Sequence, residues 1–90
     1  MYHQRSKFEL YLELLTQVSN GVINPTRLMQ ILNLSSRGLN EALESLVSEG
    51  LLVEVRDAGF GRFHEYQVTE KGEKFIEYLG LALNEVNLQR

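Results

Sequence analysis

Two histidines, one aspartate and no cysteine are a thin supply for catalysis or metal binding. His3 stands near the N-terminus and His64 in a run of alternating residues; neither has a carboxylate or second histidine at ligand spacing on a shared helix. Asp57 falls on a predicted turn, and no nucleophile can be matched with a base in a pocket. No enzymatic activity, metal or cofactor is therefore expected. The arginines offer other chemistry. Arg56 and Arg62 bracket Asp57-Ala58-Gly59-Phe60-Gly61, which places two guanidinium groups around an aromatic ring. Such arginines can enter a narrow minor groove, and Phe60 can wedge there or fold over its own hairpin. Gly59 and Gly61 are not a phosphate cradle, because no strand-turn-helix surrounds them. Arg37 can grip guanine O6 and N7 with two hydrogen bonds or hold a phosphate. Its bland alternative is an ion pair with Glu41 one turn on.

Overall charge opposes that chemistry. Nine Lys and Arg face twelve Asp and Glu, for a net charge of −3 at pH 7. Nucleic-acid binding draws much of its affinity from cations that displace condensed counterions. The 90 residues allow one domain, and a core this small gains from a second copy. The opening MYHQRSKFEL has no apolar run ahead of a small-residue cleavage site, so no signal peptide is expected. No apolar run is long enough to span a membrane. The expected location is the cytoplasm.

The elements that must position these side chains follow from periodicity and caps. Ser6 with Glu9 forms a capping box, and the apolar residues from Phe8 to Val18 cover roughly 200° of a helix, wider than one supporting surface needs. Asn20-Gly21 ends that helix. A short extended Val22-Ile23 segment precedes Asn24-Pro25, an N-cap with proline at the first helical position. The second helix runs to Leu32 and buries Leu28, Ile31 and Leu32. Asn33-Leu34-Ser35 is a tight turn, and Ser35 caps a third helix that reaches Glu49. Leu39, Ala42, Leu43, Leu46 and Val47 form its inner side; Arg37, Asn40, Glu41, Glu44 and Ser48 form its outer side. Gly50 is the stop. Leu51, Val53 and Val55 then alternate with Leu52, Glu54 and Arg56 as a half-buried strand, and a second strand spans Arg62 to Val68 after the tip. Thr69 caps a last helix to about Asn87. The order (helix, short strand, helix, turn, helix, hairpin, helix) is that of an α+β winged helix-turn-helix, divided into a domain at 1–68 and a helix at 69–90 packed on it.

Phe75, Leu79, Ala82 and Val86 are spaced 4, 3 and 4 apart, a two-heptad seam that Leu83 widens. So much apolar surface on the last helix predicts a homodimer, the alternative being that it all folds back beside the first helix. Gly80 costs this helix about 1 kcal/mol relative to alanine and permits close backbone approach.

The segments RSKFELYLELL, NPTRLMQILNLSSRGLNEALESLVSEGLL and YQVTEKGEKFIEYL resemble the small archaeal winged-helix regulators that dimerise through a C-terminal antiparallel coiled coil. The most specific parts are Asn33-Leu34-Ser35, Glu49-Gly50-Leu51-Leu52 and Thr69-Glu70-Lys71-Gly72. The resemblance implies duplex DNA binding, with the third helix in the major groove and the hairpin against the backbone. On that placement Ser36, Arg37 and Asn40 join Arg56, Phe60 and Arg62 as DNA contacts. Arg27 is added as a phosphate contact near a helix N-terminus. Two departures stand out: Glu41 and Glu44 occupy positions where DNA binders of this type carry lysines, and the last helix is short. An acidic third helix also suits a basic protein partner, the competing reading.

Overall fold

A computed structural model of the chain describes the backbone of residues 5–56 and 64–88 and the side chains of residues 5–55 and 65–82. Its elements are α1 (Lys7–Ser19), α2 (Pro25–Leu32), α3 (Ser36–Ser48), β1 (Leu52–Arg56), β2 (His64–Val68) and α4 (Glu70–Leu88). The caps act where their residue types predict. Ser6 Oγ accepts from the Glu9 N–H while the Glu9 carboxylate accepts from the Ser6 N–H. Asn24 and Ser35 cap α2 and α3 in the same sense. Gly21 and Gly50 take φ of 93° and 79°. At each, the next residue's N–H reaches back to a carbonyl in the last turn of the helix: Val22 to Gln17, and Leu51 to Leu46, both at 2.9 Å.

The core is a leucine cluster. Leu14, Leu15, Leu32, Leu39, Leu46 and Leu52 are essentially sealed from solvent, and α1 crosses the middle, packed against α2, β2 and α4. That placement accounts for the broad apolar arc of α1.

Three expectations need correction. Val22 and Ile23 form no strand, and among the described residues the sheet consists of β1 and β2. The Val22 N–H is already committed to ending α1, and Asn24 starts α2 two residues later, which leaves too little free backbone for a ladder. Ile31 and Val47 stay exposed, because the core takes the stripes of Leu28 with Leu32 and of Leu39 with Leu43 and Leu46. The phase of β1 is also inverted. Leu51 belongs to the α3 terminus, so the strand begins at Leu52, which is buried while Val53 is 46% exposed. Leu52 pairs with Val68 and Glu54 with Tyr66 on the inner face of the hairpin. Glu54 therefore looks toward α3 rather than away from it.

Candidate nucleic-acid interface

The turn between α2 and α3 is set by Asn33, whose left-handed φ of 57° lets the Leu34 N–H bond Met29 O at 3.0 Å. Ser35 Oγ then accepts from the Gly38 N–H at 3.0 Å and starts α3. Ser36, Arg37 and Asn40 follow on its exposed outer side, brought together as the helical spacing requires. Arg37 is 88% exposed, and its Nε donates to Glu41 Oε2 at 3.3 Å. An exposed i, i+4 pair of this kind contributes about 0.5 kcal/mol, so another anion can draw Arg37 away at small cost.

Arg27 lies in the first turn of α2, where its backbone N–H donates to Asn24 Oδ1 at 3.1 Å and its side chain is exposed. It stands on a different helix from the Ser36–Asn40 group. The backbone of Arg56 pairs with His64 at the described end of the hairpin. The Arg56 side chain, Phe60, Arg62 and the predicted tip at 57–61 lie outside the described residues, as do the side chains of Leu83 and Val86.

Between α3 and the hairpin lies a cleft of ≈ 370 Å³ lined by Asn40, Glu44, Glu54 and Tyr66. Burial raises the Tyr66 pKa above its ordinary value, and the carboxylates of Glu54 and then Glu44 raise it further. Tyr66 thus keeps its proton to higher pH than a free tyrosine does. Sequence reasoning missed this cleft because the alternation counted from Leu51 put Glu54 on the opposite face.

Other residues hold the frame. A guanidinium nitrogen of Arg5 donates to Leu32 O at the end of α2, and another pairs with Glu13 at 2.6 Å. A cation at that position also complements the α2 dipole. The segment Thr69-Glu70-Lys71-Gly72 joins α4 to the end of α3. Thr69 Oγ1 accepts from the Gly72 N–H at 3.0 Å and donates to Gly50 O at 2.6 Å. Lys71 Nζ donates to Glu49 O at 2.8 Å. Thr69 thus caps one helix start and one helix end.

Of the predicted dimer residues, Phe75 and Leu79 are half-buried and Ala82 is exposed. Phe75 packs against the core of its own chain. Phe75, Leu79 and Ala82 join Phe8 and Tyr78 around an apolar groove of ≈ 430 Å³. Among the described residues nothing lies within 4 Å of a Cβ built on Gly80, so the close approach expected there is not made by them. Among the described residues no group of His, Asp or Glu could hold a metal ion, and no helix is long and apolar enough to cross a membrane.

Three helices with a tight α2–α3 turn, followed by a two-stranded hairpin, define a winged helix. The chain belongs to the winged helix-turn-helix family, whose model matches residues 4–86. Solved structures share the fold. A probable transcriptional regulator from Pseudomonas aeruginosa superposes with a TM-score of 0.75 at 18% identity, over 89% of this chain and 61% of the other. A mutant of MepR from S. aureus gives 0.77 at 16% identity, over 96% and 63%. PcaV, a transcriptional regulator from Streptomyces coelicolor crystallised with its natural ligand, gives 0.73 at 24%, over 88% and 56%. The chain thus spans about three-fifths of the length of these structures. No curated protein sequence matches it.

Proposed function

We propose that the protein binds duplex DNA as a homodimer and serves in transcription regulation, without enzymatic chemistry of its own. The observation that carries this reading is the exposed Ser36, Arg37 and Asn40 group on the helix that follows the helix-turn-helix turn. In the major groove Arg37 would read guanine or hold a phosphate, with Ser36 and Asn40 as polar neighbours. Arg27 would hold a phosphate beside the α2 N-terminus. Arg56 and Arg62, with Phe60, would meet the DNA from the wing. The α4 seam of Phe75, Leu79, Ala82, Leu83 and Val86 would join the two copies. Transcriptional regulators among the structures of the same fold support this assignment.

The acidic outer side of α3, where the exposed Glu41 and Glu44 outnumber Arg37, favours a second reading, in which the α3 face docks a basic protein segment. A gel-shift titration with random-sequence duplex at two salt concentrations separates the two. Retardation that weakens as salt rises supports DNA binding. No retardation even at low salt transfers the α3 face to a protein partner.

A further inference from the structure

We propose that the cleft where α1, the end of α3 and the start of α4 meet binds a free α-amino acid with an aromatic side chain. The cleft measures ≈ 340 Å³, within the range of roughly 300–1,000 Å³ that small-molecule sites occupy. Phe8, Tyr11, Leu51 and Phe75 give it an apolar lining, and Lys7, Lys71 and Glu49 supply its charges. Tyr11 and Leu51 are buried and Phe75 packs on the core, so most of the apolar wall is part of the folded domain. The site lies within one chain and rests on neither the DNA reading nor the homodimer reading.

The polar groups of the cleft have bonding capacity to spare. Lys7 Nζ lies 5.6 Å from the centre of the Tyr11 ring, and Lys71 Nζ donates to Glu49 O at 2.8 Å. Neither ammonium forms an ion pair with a carboxylate of the described residues, and the Glu49 carboxylate forms none with a described cation. Tyr11 is 7% exposed, yet its hydroxyl bonds to no described residue. Among the described residues no buried side-chain oxygen lacks a partner, so this hydroxyl opens to solvent rather than into the core. A largely buried tyrosine usually finds a partner for its hydroxyl, and a ligand in the cleft can supply one. A ligand with a carboxylate alone would meet the two lysines but also face the opposing charge of Glu49. A ligand of both charges satisfies all three side chains. Its carboxylate accepts from Lys7, Lys71 and the Tyr11 hydroxyl, and its ammonium donates to Glu49. An α-amino acid carries these two groups on one carbon, and an aromatic side chain matches the surface of Phe8, Leu51 and Phe75.

Isothermal titration calorimetry of the whole chain tests the site with L-phenylalanine and with analogues that each lack one group. Hydrocinnamate has no ammonium, phenethylamine no carboxylate and L-alanine no ring. Saturable binding of L-phenylalanine is expected with a Kd of about 1 mM or tighter, and each analogue should bind roughly tenfold more weakly or worse. Lys7→Gln and Glu49→Gln each remove one exposed charge and should weaken L-phenylalanine by a similar factor. Lys74→Gln, at an exposed lysine outside the lining, should match the parent. Glu49→Gln should also close the gap between L-phenylalanine and hydrocinnamate. Far-ultraviolet circular dichroism checks that the variants fold, and the analogue series on the parent decides the chemistry even if one does not. No saturable binding of L-phenylalanine at roughly 10 mM overturns the proposal. Hydrocinnamate binding to the parent as tightly as L-phenylalanine takes Glu49 out of the site and overturns the amino-acid assignment. L-phenylalanine binding that both lining variants leave unchanged places the ligand elsewhere and overturns the site.

Discussion

Gly72 of α4 lies against the carbonyl of Leu51 so closely that a Cβ on it would stand 2.3 Å from the oxygen and 2.7 Å from Val68 Cγ1. The neighbour is backbone, which cannot swing aside. Here the first turn of α4 meets the junction of α3 and β1, and the Thr69 and Lys71 hydrogen bonds to Gly50 O and Glu49 O clamp the same spot. Gly72→Ala should therefore destabilise the fold by about 1–3 kcal/mol, although alanine is the better helix former by about 1 kcal/mol. Gly80→Ala meets none of the described residues within 4 Å and within the single chain should stabilise by about 1 kcal/mol. Urea unfolding midpoints measure both. Equal effects at the two glycines would refute the close approach.

Tyr66 should titrate above its ordinary 10.0, because burial and then Glu54 and Glu44 disfavour the phenolate. The folded state holds the proton more tightly than the unfolded chain. Its contribution to stability is complete below pH 10.0 and is lost as pH rises through the folded pKa. Tyrosinate absorbance, with Tyr66→Phe as the reference, isolates this step. Glu54→Gln should lower the midpoint without restoring 10.0, since burial is the larger cause. An unmoved midpoint would place Glu54 away from the ring.

The charges of α3 bear on the DNA reading. Glu41→Gln with Glu44→Gln removes two negative charges per subunit and leaves helix propensity nearly unchanged. Nonspecific duplex affinity should rise by roughly tenfold or more at low salt, and by less at high salt as screening shortens the repulsion. Arg37→Ala should act oppositely, and most strongly on a preferred sequence, where a two-bond arginine contributes about 1–3 kcal/mol of discrimination. Fluorescence anisotropy with labelled duplex measures both changes. Parent-like binding by both variants would turn α3 away from the duplex.

The wing has its own signature. If Arg56 and Arg62 hold phosphates, replacing both with alanine should weaken binding to all duplexes alike. The slope of log K against log salt should flatten by about 0.9 for each phosphate no longer neutralised. A slope equal to the parent's would take the wing out of the interface.

Much of the fold was legible because its punctuation is local. Ser6 with Glu9, Asn24 before Pro25, Ser35, Gly21 and Gly50 each act through bonds to residues a few positions away, so spacing alone identifies them. The outer side of α3, with Arg37 and Asn40, was legible for the same reason, since helical periodicity settles which residues share a face. The inverted strand has a different origin. Leu51 has the residue type of a strand but spends its N–H on α3, so the described β1 side chains, Leu52 to Val55, fall on the opposite faces from those counted from Leu51.

The amino-acid sequence by itself determined the order of the elements, their caps and the leucine stripes of the core, because these depend on contacts within a turn or two. Only the tertiary structure decided which residues meet across long separations. It set Glu54 and Tyr66 opposite Glu44, Arg5 on the end of α2, Lys71 on the end of α3, and Phe8 beside Tyr78 and Ala82. It also showed that Gly72 serves packing, whereas none of the described residues comes within 4 Å of a Cβ on Gly80. Two glycines on one helix look alike in sequence, and what separates them is the atom that a third element brings within reach.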